Sequence, residues 1–162
     1  MDSNIGRIGG CWPRHRADQR GSDRLPVSAR DLPTDIGQQR GRTVRFKAVA
    51  GKVDQAGGIA VRLSDPDNYY VARANALEDN VRFYRVVKGQ RSQIEGANIK
   101  VTANQWHQLG LWAQGPRFTV TFDGKELFTA TDRTIASAGK VALWTKADSV
   151  TRFDGIEIRT LP

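Results

Sequence analysis

Short segments in which apolar and polar residues alternate, separated by turn signals, occupy the chain from Arg42 onward. In the first of them, Val44 and Phe46 fall on one face of an extended strand, whereas Arg45 and Lys47 fall on the other. About ten such segments follow at spacings of roughly 8–14 residues, and no convincing long helical period interrupts them. The pattern predicts an all-β chain that folds as an antiparallel two-sheet sandwich.

The first 41 residues differ in composition from the rest of the chain: they are rich in Arg, Gly, Asp and Pro and lack a sustained apolar period. We expect a flexible or atypical segment over residues 1–41, with a short edge strand as one option between Leu25 and Ile36, and a sandwich domain over residues 42–162. Cys11 is the only cysteine, so no internal disulfide is expected. No secretory signal is visible in the sequence as written, because its amino terminus lacks an apolar h-region.

The chain carries 25 Lys and Arg residues against 17 Asp and Glu residues, which gives a net charge of +8. Such an excess makes nucleic acids and other polyanions partners to consider. The basic residues are spread along the sequence, however, and neither helix-turn-helix nor Cys/His finger spacing occurs. Nucleic acid is therefore not the expected partner. No apolar run approaches the ~20 residues that a membrane helix needs, so no membrane insertion is expected.

Four stretches across roughly residues 42–160 resemble, in order and wording, the concanavalin A-like lectin/glucanase sandwich. They read GRTVRFKAVAGKVDQAGGIAVR, DPDNYYVARANALEDNVRFYRVVKGQR, QWHQLGLWAQGPRFTVTFDGKELFTATD and AGKVALWTKADSVTRFDGIEI. The resemblance is to the bacterial 3-keto-disaccharide hydrolase domain, formerly a domain of unknown function. It implies a jelly-roll sandwich with one concave sheet, a carbohydrate or glycoside ligand, and a secreted or periplasmic location.

Polar and aromatic residues in the predicted strands supply both chemistries that sugar recognition needs, namely flat aromatic faces and planar hydrogen-bonding groups. Alternation places Tyr70 on one face of its strand and Arg73 with Asn75 on the other, and it pairs Arg82 with Tyr84. The alternative is that the aromatic residues are half-buried parts of the sandwich. The candidate ligand-binding residues are Arg62, Tyr70, Arg73, Asn75, Asn80, Arg82, Tyr84, Trp144 and Lys146.

Glycoside hydrolysis normally uses two carboxyl groups, about 5–5.5 Å apart for retention and about 6.5–9.5 Å for inversion. The Glu-x-Asp-x-(x)-Glu pattern of family 16 glucanases is absent. Glu78 and Asp79 are adjacent, so on a strand they point to opposite faces. The weak catalytic candidates are therefore Glu78 or Asp79 together with Asp148, and solvated turn carboxylates are the competing interpretation.

Asp65 and Asp67 offer hard oxygen ligands of the kind that calcium prefers. The central glycine and terminal glutamate of an EF-hand are missing, and a turn built from Asx side chains is the competing interpretation. Calcium at Asp65 and Asp67 remains a weak option, and no other cofactor is expected.

These observations predict a carbohydrate-active sandwich that binds a saccharide or glycoside on its concave sheet. They leave open whether it also hydrolyses a glycosidic bond, in which case it is a glycoside hydrolase. Two alternatives are a non-catalytic laminin-G-like recognition or adhesion module and a basic polyanion-binding protein. The sequence does not indicate an oligomeric state.

Overall fold

Ten β-strands make up most of residues 39–160, the part of the chain that the computed structural model describes, with side chains for residues 41–157. The strands are β1 (Gln39–Ala50), β2 (Ala56–Asp65), β3 (Asn68–Asn75), β4 (Asn80–Val87), β5 (Gln90–Asn98), β6 (His107–Gln114), β7 (Arg117–Phe122), β8 (Lys125–Thr131), β9 (Lys140–Trp144) and β10 (Val150–Thr160). Within these residues, no helix has the length and apolar character needed to cross a bilayer.

The strands form two five-stranded antiparallel sheets: sheet A in the order β10-β1-β6-β7-β8, and sheet B in the order β5-β4-β3-β2-β9. The predicted all-β, two-sheet antiparallel sandwich is confirmed for the described residues. Strand β1 begins at Gln39, three residues before the boundary predicted at Arg42. The predicted edge strand between Leu25 and Ile36, and Cys11, lie outside the described residues.

Aromatic rings fill the space between the two sheets. The Phe118 ring of sheet A lies 4.6 Å from the Tyr70 ring and 5.0 Å from the Phe83 ring of sheet B, measured between ring centroids. All three side chains are completely buried. Tyr70 therefore faces the interior of the sandwich and not the outer face on which a ligand is predicted to bind.

Arg62 also points into the sandwich, because a bulge interrupts β2 around this residue and gives it a φ of 51°. Its guanidinium carbon lies 4.9 Å from the centroid of the Phe118 ring. Nη1 donates to the Ile135 carbonyl at 2.9 Å, and Nη2 donates to the Gly115 carbonyl at 2.5 Å. Arg62, which the sequence made a ligand-binding candidate, thus ties β2 to two loops and points away from the outer surface.

The outer face of sheet B, which points away from sheet A, is formed by alternate residues of its strands. The register places Gly58 of β2 between Arg73 of β3 and Trp144 of β9, and it pairs Arg73 with Arg82 of β4. Residues that are directly paired across antiparallel strands share a face. The alternation predicted for Arg73, Asn75, Arg82 and Tyr84 is therefore realised on this outer face.

Replacing Gly58 with Ala is expected to lower the free energy of unfolding by about 1–3 kcal/mol. A Cβ atom there would lie 2.6 Å from the carbonyl oxygen of Ala72 and 3.1 Å from the Cβ of Arg73, and neither atom can move without shifting the strand. Urea denaturation of the variant measures the loss. The matched control is Gly96→Ala, where the nearest atom is the Cδ of the long Arg82 side chain at 2.5 Å and the nearest backbone atom, the Val81 oxygen, is farther away at 3.1 Å. A loss as large for Gly96→Ala as for Gly58→Ala would contradict this explanation.

Candidate functional site

A group of neighbouring polar side chains lies on and beside the outer face of sheet B, and we call it the outer-face cluster. Strands β3 and β4 and the turn between them supply most of it, and the loops before β2 and after β9 supply the rest. Seven of its members were candidates from the sequence, and Asp54 was not. Its members are Asp54, Arg73, Asn75, Glu78, Asn80, Arg82, Tyr84 and Lys146.

Arg73 is the centre of the cluster. Its Nη1 donates to Asn80 Oδ1 at 2.7 Å, and its Nη2 donates to Glu78 Oε2 at 2.8 Å and to the Tyr84 hydroxyl oxygen at 3.0 Å. Only 4% of Arg73 is exposed. Hydrogen bonds to charged groups are stronger than those between neutral groups, so the guanidinium holds the other three side chains in fixed orientations.

Glu78 places a carboxylate at the accessible edge of the cluster, with 42% of its side chain exposed. Burial opposes the ionisation of Glu78, but hydrogen bonds from Asn80 and Arg73 outweigh it and lower the pKa of the carboxyl group. Glu78 is therefore ionised at neutral pH. A carboxylate of this kind accepts hydrogen bonds from hydroxyl groups.

Asp54 links the cluster to the loop between β1 and β2. Its Oδ1 accepts a hydrogen bond from Asn75 Nδ2 at 2.7 Å, and its Oδ2 lies 3.3 Å from Lys146 Nζ. The positive charge of Lys146 also contributes to lowering the pKa of Glu78. Asp54 was missed by sequence analysis because it is a single carboxylate in a loop and belongs to no spacing pattern.

Arg82 extends the cluster toward the edge strand β5. Its side chain lies over Gly96, where a side chain would occupy the same space, and its Nη2 donates to Asn98 Oδ1 at 2.7 Å. On the same face, the guanidinium carbon of Arg91 lies 4.6 Å from the centroid of the Tyr84 ring. These contacts bring two further arginines beside the Arg73 centre, so the cluster is rich in positively charged donors.

Trp144 shares the outer face with the cluster but is completely buried, and its Nε1 donates to the Tyr69 hydroxyl oxygen at 3.4 Å. Only 1% of Tyr69 is exposed. In this structure, Trp144 therefore offers no free ring face for stacking on a sugar. The structure thus gives Trp144 a packing role, and a direct contact of its ring with a ligand stays a prediction.

Asp79 and Asp148 each bond groups other than Glu78. Asp79, with a φ of 49° in the β3–β4 turn, accepts hydrogen bonds from Lys100 Nζ at 2.9 Å and from the backbone nitrogen of Val101 at 3.0 Å. The side-chain bond from Lys100 is the main cause that lowers the pKa of the Asp79 carboxyl. This geometry assigns Asp79 to turn stabilisation and does not support its pairing with another carboxylate for catalysis.

Asp148 holds the loop that carries Asp54. Its carboxylate accepts hydrogen bonds from the backbone nitrogens of Lys52, Val53 and Asp54 at 2.6, 3.0 and 3.0 Å. Hydrogen bonds from these backbone groups lower the pKa of the Asp148 carboxyl group, and that from Lys52 contributes most. Asp148 is thus engaged with the backbone of this loop, and its catalytic pairing with Glu78 or Asp79 stays a prediction.

The carboxylate of Asp65 is engaged within its own turn, where its Oδ1 accepts from the backbone nitrogen of Asp67 at 2.8 Å and from Asn68 Nδ2 at 2.9 Å. The hydrogen bond from Asn68 and, to a smaller extent, that from the Asp67 backbone lower the pKa of the Asp65 carboxyl group. Among the described residues, no group of three or more His, Cys, Asp or Glu side chains is arranged to hold a metal ion. Calcium binding at Asp65 and Asp67 stays an untested prediction.

Comparison with known families identifies the class of domain to which this sandwich belongs. Residues 36–161 match the sequence profile of the galactocerebrosidase C-terminal lectin domain. The chain belongs to this lectin-domain family. No match was found among curated proteins.

Solved structures share the jelly-roll sandwich of this lectin domain. The carbohydrate-binding module CBM66 from Bacillus subtilis is 23% identical, with a TM-score of 0.70 over 76% of each chain. The galectin LEC-6 of Caenorhabditis elegans is 11% identical, with a TM-score of 0.62 over 90% of this chain and 94% of its own. A β-1,3-1,4-glucanase (lichenase) from a mouse hindgut metagenome is 14% identical, with a TM-score of 0.60 over 82% of this chain and 69% of its own. The domain is therefore a lectin-like β-sandwich, and these three likenesses bear on its fold.

Proposed function

We propose that this domain binds a saccharide at the outer-face cluster. The observation that carries the proposal is the Arg73 guanidinium, which bonds Asn80, Glu78 and Tyr84 at once and fixes the orientation of each. Groups that are already ordered lose little conformational entropy when a ligand binds, so their hydrogen bonds contribute more to affinity. Membership of a lectin-domain family supports the same function.

The chemistry of the cluster suits a ligand that carries several hydroxyl groups. Each hydroxyl can donate to the Glu78 carboxylate and can accept from the Lys146 ammonium or the Arg82 guanidinium. These three side chains are partly exposed, whereas the members beneath them are buried. A saccharide therefore meets the partly exposed groups directly, and the buried members hold those groups in place.

The test is a binding screen by calorimetry with a panel of neutral and acidic oligosaccharides, using the wild type, Glu78→Gln and Glu126→Gln. Loss of the Glu78 charge removes the strongest accessible acceptor, and we expect about a tenfold loss of affinity, which is about 1.4 kcal/mol. Glu126 is exposed on β8 of sheet A, so the same substitution there is the matched control and should leave affinity unchanged. Equal affinities for both variants and the wild type would refute binding at the cluster.

A glycoside hydrolase, including one acting on 3-keto-disaccharides, is the second candidate function. Lys146 lies 3.3 Å from the buried Asp54 carboxylate, and its positive charge lowers the pKa of Glu78, so Asp54 and Glu78 are the two carboxylates that hydrolysis would use. The lowered pKa of Glu78 makes it an ionised group and not a proton donor at neutral pH. Incubating the bound sugars and 3-keto-glucosides with the wild type and measuring released sugar separates the two functions. Turnover that is lost in both Asp54→Asn and Glu78→Gln would support hydrolysis.

The polyanion alternative differs from saccharide recognition in its response to salt. Binding through counterion release weakens steeply as the salt concentration rises. Binding at the outer-face cluster should change little for a neutral sugar between low and physiological salt. Affinity that falls for every ligand in proportion to its charge would favour the polyanion alternative.

A further inference from the structure

A cavity lined mostly by polar side chains lies on the other side of β4, at the open edge between the two sheets, and we call it the edge cleft. Its volume is about 440 Å³, within the range of small-molecule sites. Tyr84 and Arg85 are consecutive in β4, so they face opposite sides of sheet B. The edge cleft is therefore separated from the outer-face cluster by the sheet itself. It is lined by Arg85, Val87, Lys88, Gln90, Ser92 and Thr134.

Arg85 is held in a fixed orientation in the edge cleft by a buried carboxylate. Its Nη1 donates to Asp132 Oδ2 at 2.6 Å and lies 3.3 Å from Thr134 Oγ1. Asp132 is itself fixed, because its Oδ1 accepts from the Tyr70 hydroxyl at 2.6 Å and from the backbone nitrogen of Thr134 at 2.9 Å. These bonds use one of the two terminal nitrogens of Arg85 and leave 40% of its side chain exposed.

The lining of the edge cleft is complementary to an anion attached to a hydroxyl-bearing ring. Lys88 contributes a positive charge, and Arg85 contributes a second one that the Asp132 carboxylate behind it partly neutralises. Arginine matches planar or tetrahedral oxyanions with paired donors, and lysine adds a point charge. Gln90, Ser92 and Thr134 add neutral groups that both donate and accept, which suits the hydroxyls of a sugar.

We propose that the edge cleft binds a saccharide that carries an oxyanion, either a carboxylate or a sulfate ester, and that it does so independently of the outer-face cluster. The oxyanion lies between Arg85 and Lys88, and the ring hydroxyls contact Gln90, Ser92 and Thr134. The domain then has two sugar sites on opposite sides of β4.

The experiment is a nuclear magnetic resonance titration of the full chain with glucuronate, glucose and inorganic sulfate at constant ionic strength. Glucuronate should give saturable shifts confined to amides in residues 85–92 and around Thr134. It should bind at least about tenfold more tightly than glucose, because glucose lacks the charge. Glucose binding as tightly as glucuronate, or no saturable shift with glucuronate, would overturn the proposal. Sulfate binding as tightly as glucuronate would overturn the saccharide part, because the ring would then contribute nothing.

Lys88→Glu is the informative variant, because Lys88 lies at the exposed β4–β5 turn and its loss spares the Arg85–Asp132 pair. It should weaken glucuronate binding at least about tenfold. Lys125→Glu, an equal change of charge at the β7–β8 turn, is the matched control and should leave binding unchanged. Equal losses for both variants would assign the effect to overall charge and overturn the site. Arg73→Ala should retain glucuronate binding at the edge cleft, because Arg73 belongs only to the outer-face cluster. The two proposals can therefore fail separately: Arg73→Ala tests the outer-face cluster, and Lys88→Glu tests the edge cleft.

Discussion

Replacing Asp132 with Ala is expected to lower the free energy of unfolding by about 1–3 kcal/mol, the range for leaving a buried polar group without its hydrogen-bond partner. Only 9% of Asp132 is exposed, and its carboxylate bonds Tyr70, Arg85 and the backbone of Thr134. Removing the Asp132 carboxylate leaves the buried Tyr70 hydroxyl without its acceptor and Arg85 without its ion-pair partner. Urea or thermal denaturation measures the effect.

The control for this substitution is Asp154→Ala. Asp154 pairs with Arg45 at 3.1 Å, but 52% of each side chain is exposed. Exposed pairs contribute about 0–1 kcal/mol, so Asp154→Ala should change stability little. If Asp132→Ala lowers the free energy of unfolding no more than Asp154→Ala does, the hydrogen bonds that join Tyr70, Asp132 and Arg85 do not stabilise the fold.

The same residues predict how stability depends on pH. Burial opposes the ionisation of Asp132, but hydrogen bonds from Tyr70 and Thr134 and then from Arg85 outweigh it and lower the pKa to about 2. The pKa of Asp132 is about 3.8 in the unfolded chain, so its ionisation stabilises the folded state at pH values above 3.8. This contribution of about 2 kcal/mol to the free energy of unfolding is lost as the pH falls toward 2. Burial, followed by the bond to Asp132, raises the pKa of Tyr70 to about 12. The Tyr70 contribution is therefore present below pH 10 and is lost as the pH rises toward 12.

Replacing Arg73 with Ala is expected to have the largest effect on saccharide binding, a loss of about a hundredfold or more, which is about 2.7 kcal/mol. Without the guanidinium, Asn80, Glu78 and the Tyr84 hydroxyl lose the donor that orients them. Arg73→Lys should also bind weakly, because an ammonium lacks the two-pronged geometry that reaches all three partners. Calorimetry with the tightest ligand from the panel measures both losses.

Arg117→Ala is the matched control for Arg73→Ala, since Arg117 is an exposed arginine on β7 of sheet A. The control should bind the ligand as the wild type does. Circular dichroism and urea denaturation establish that Arg73→Ala is folded under the conditions of the assay. A folded Arg73→Ala protein that retains full affinity would remove Arg73 from the proposed site.

Strand positions and shared faces could be predicted from sequence because side chains in an extended chain alternate. That alternation correctly separated Tyr70 from Arg73 and joined Arg82 to Tyr84. It could not tell which face meets the other sheet, since both faces of β3 carry aromatic and apolar residues. Tyr70 was therefore assigned to the ligand surface, although it packs on Phe118.

Arg62 and the loop residues show a second limit of sequence analysis. The bulge in β2 turns Arg62 inward, and no residue pattern announces a bulge of this kind. Asp54 and Asp132 reach their partners only through tertiary contacts, with Asn75 and Tyr70 respectively. Pairings between distant parts of the chain depend on sheet register and loop paths, which local spacing does not determine.

The most direct test of saccharide binding at the outer-face cluster is the set of backbone amides that shift when the tightest neutral sugar of the panel is added. Saturable shifts in residues 73–84, 91–98 and 144–146 are the predicted result. Shifts confined to the outer side of sheet A would contradict the proposal. That side carries an aromatic residue beside two basic ones: Trp106 is 39% exposed, and the Arg45 Cζ and Lys47 Nζ atoms lie 5.2 and 5.3 Å from the centroid of its ring.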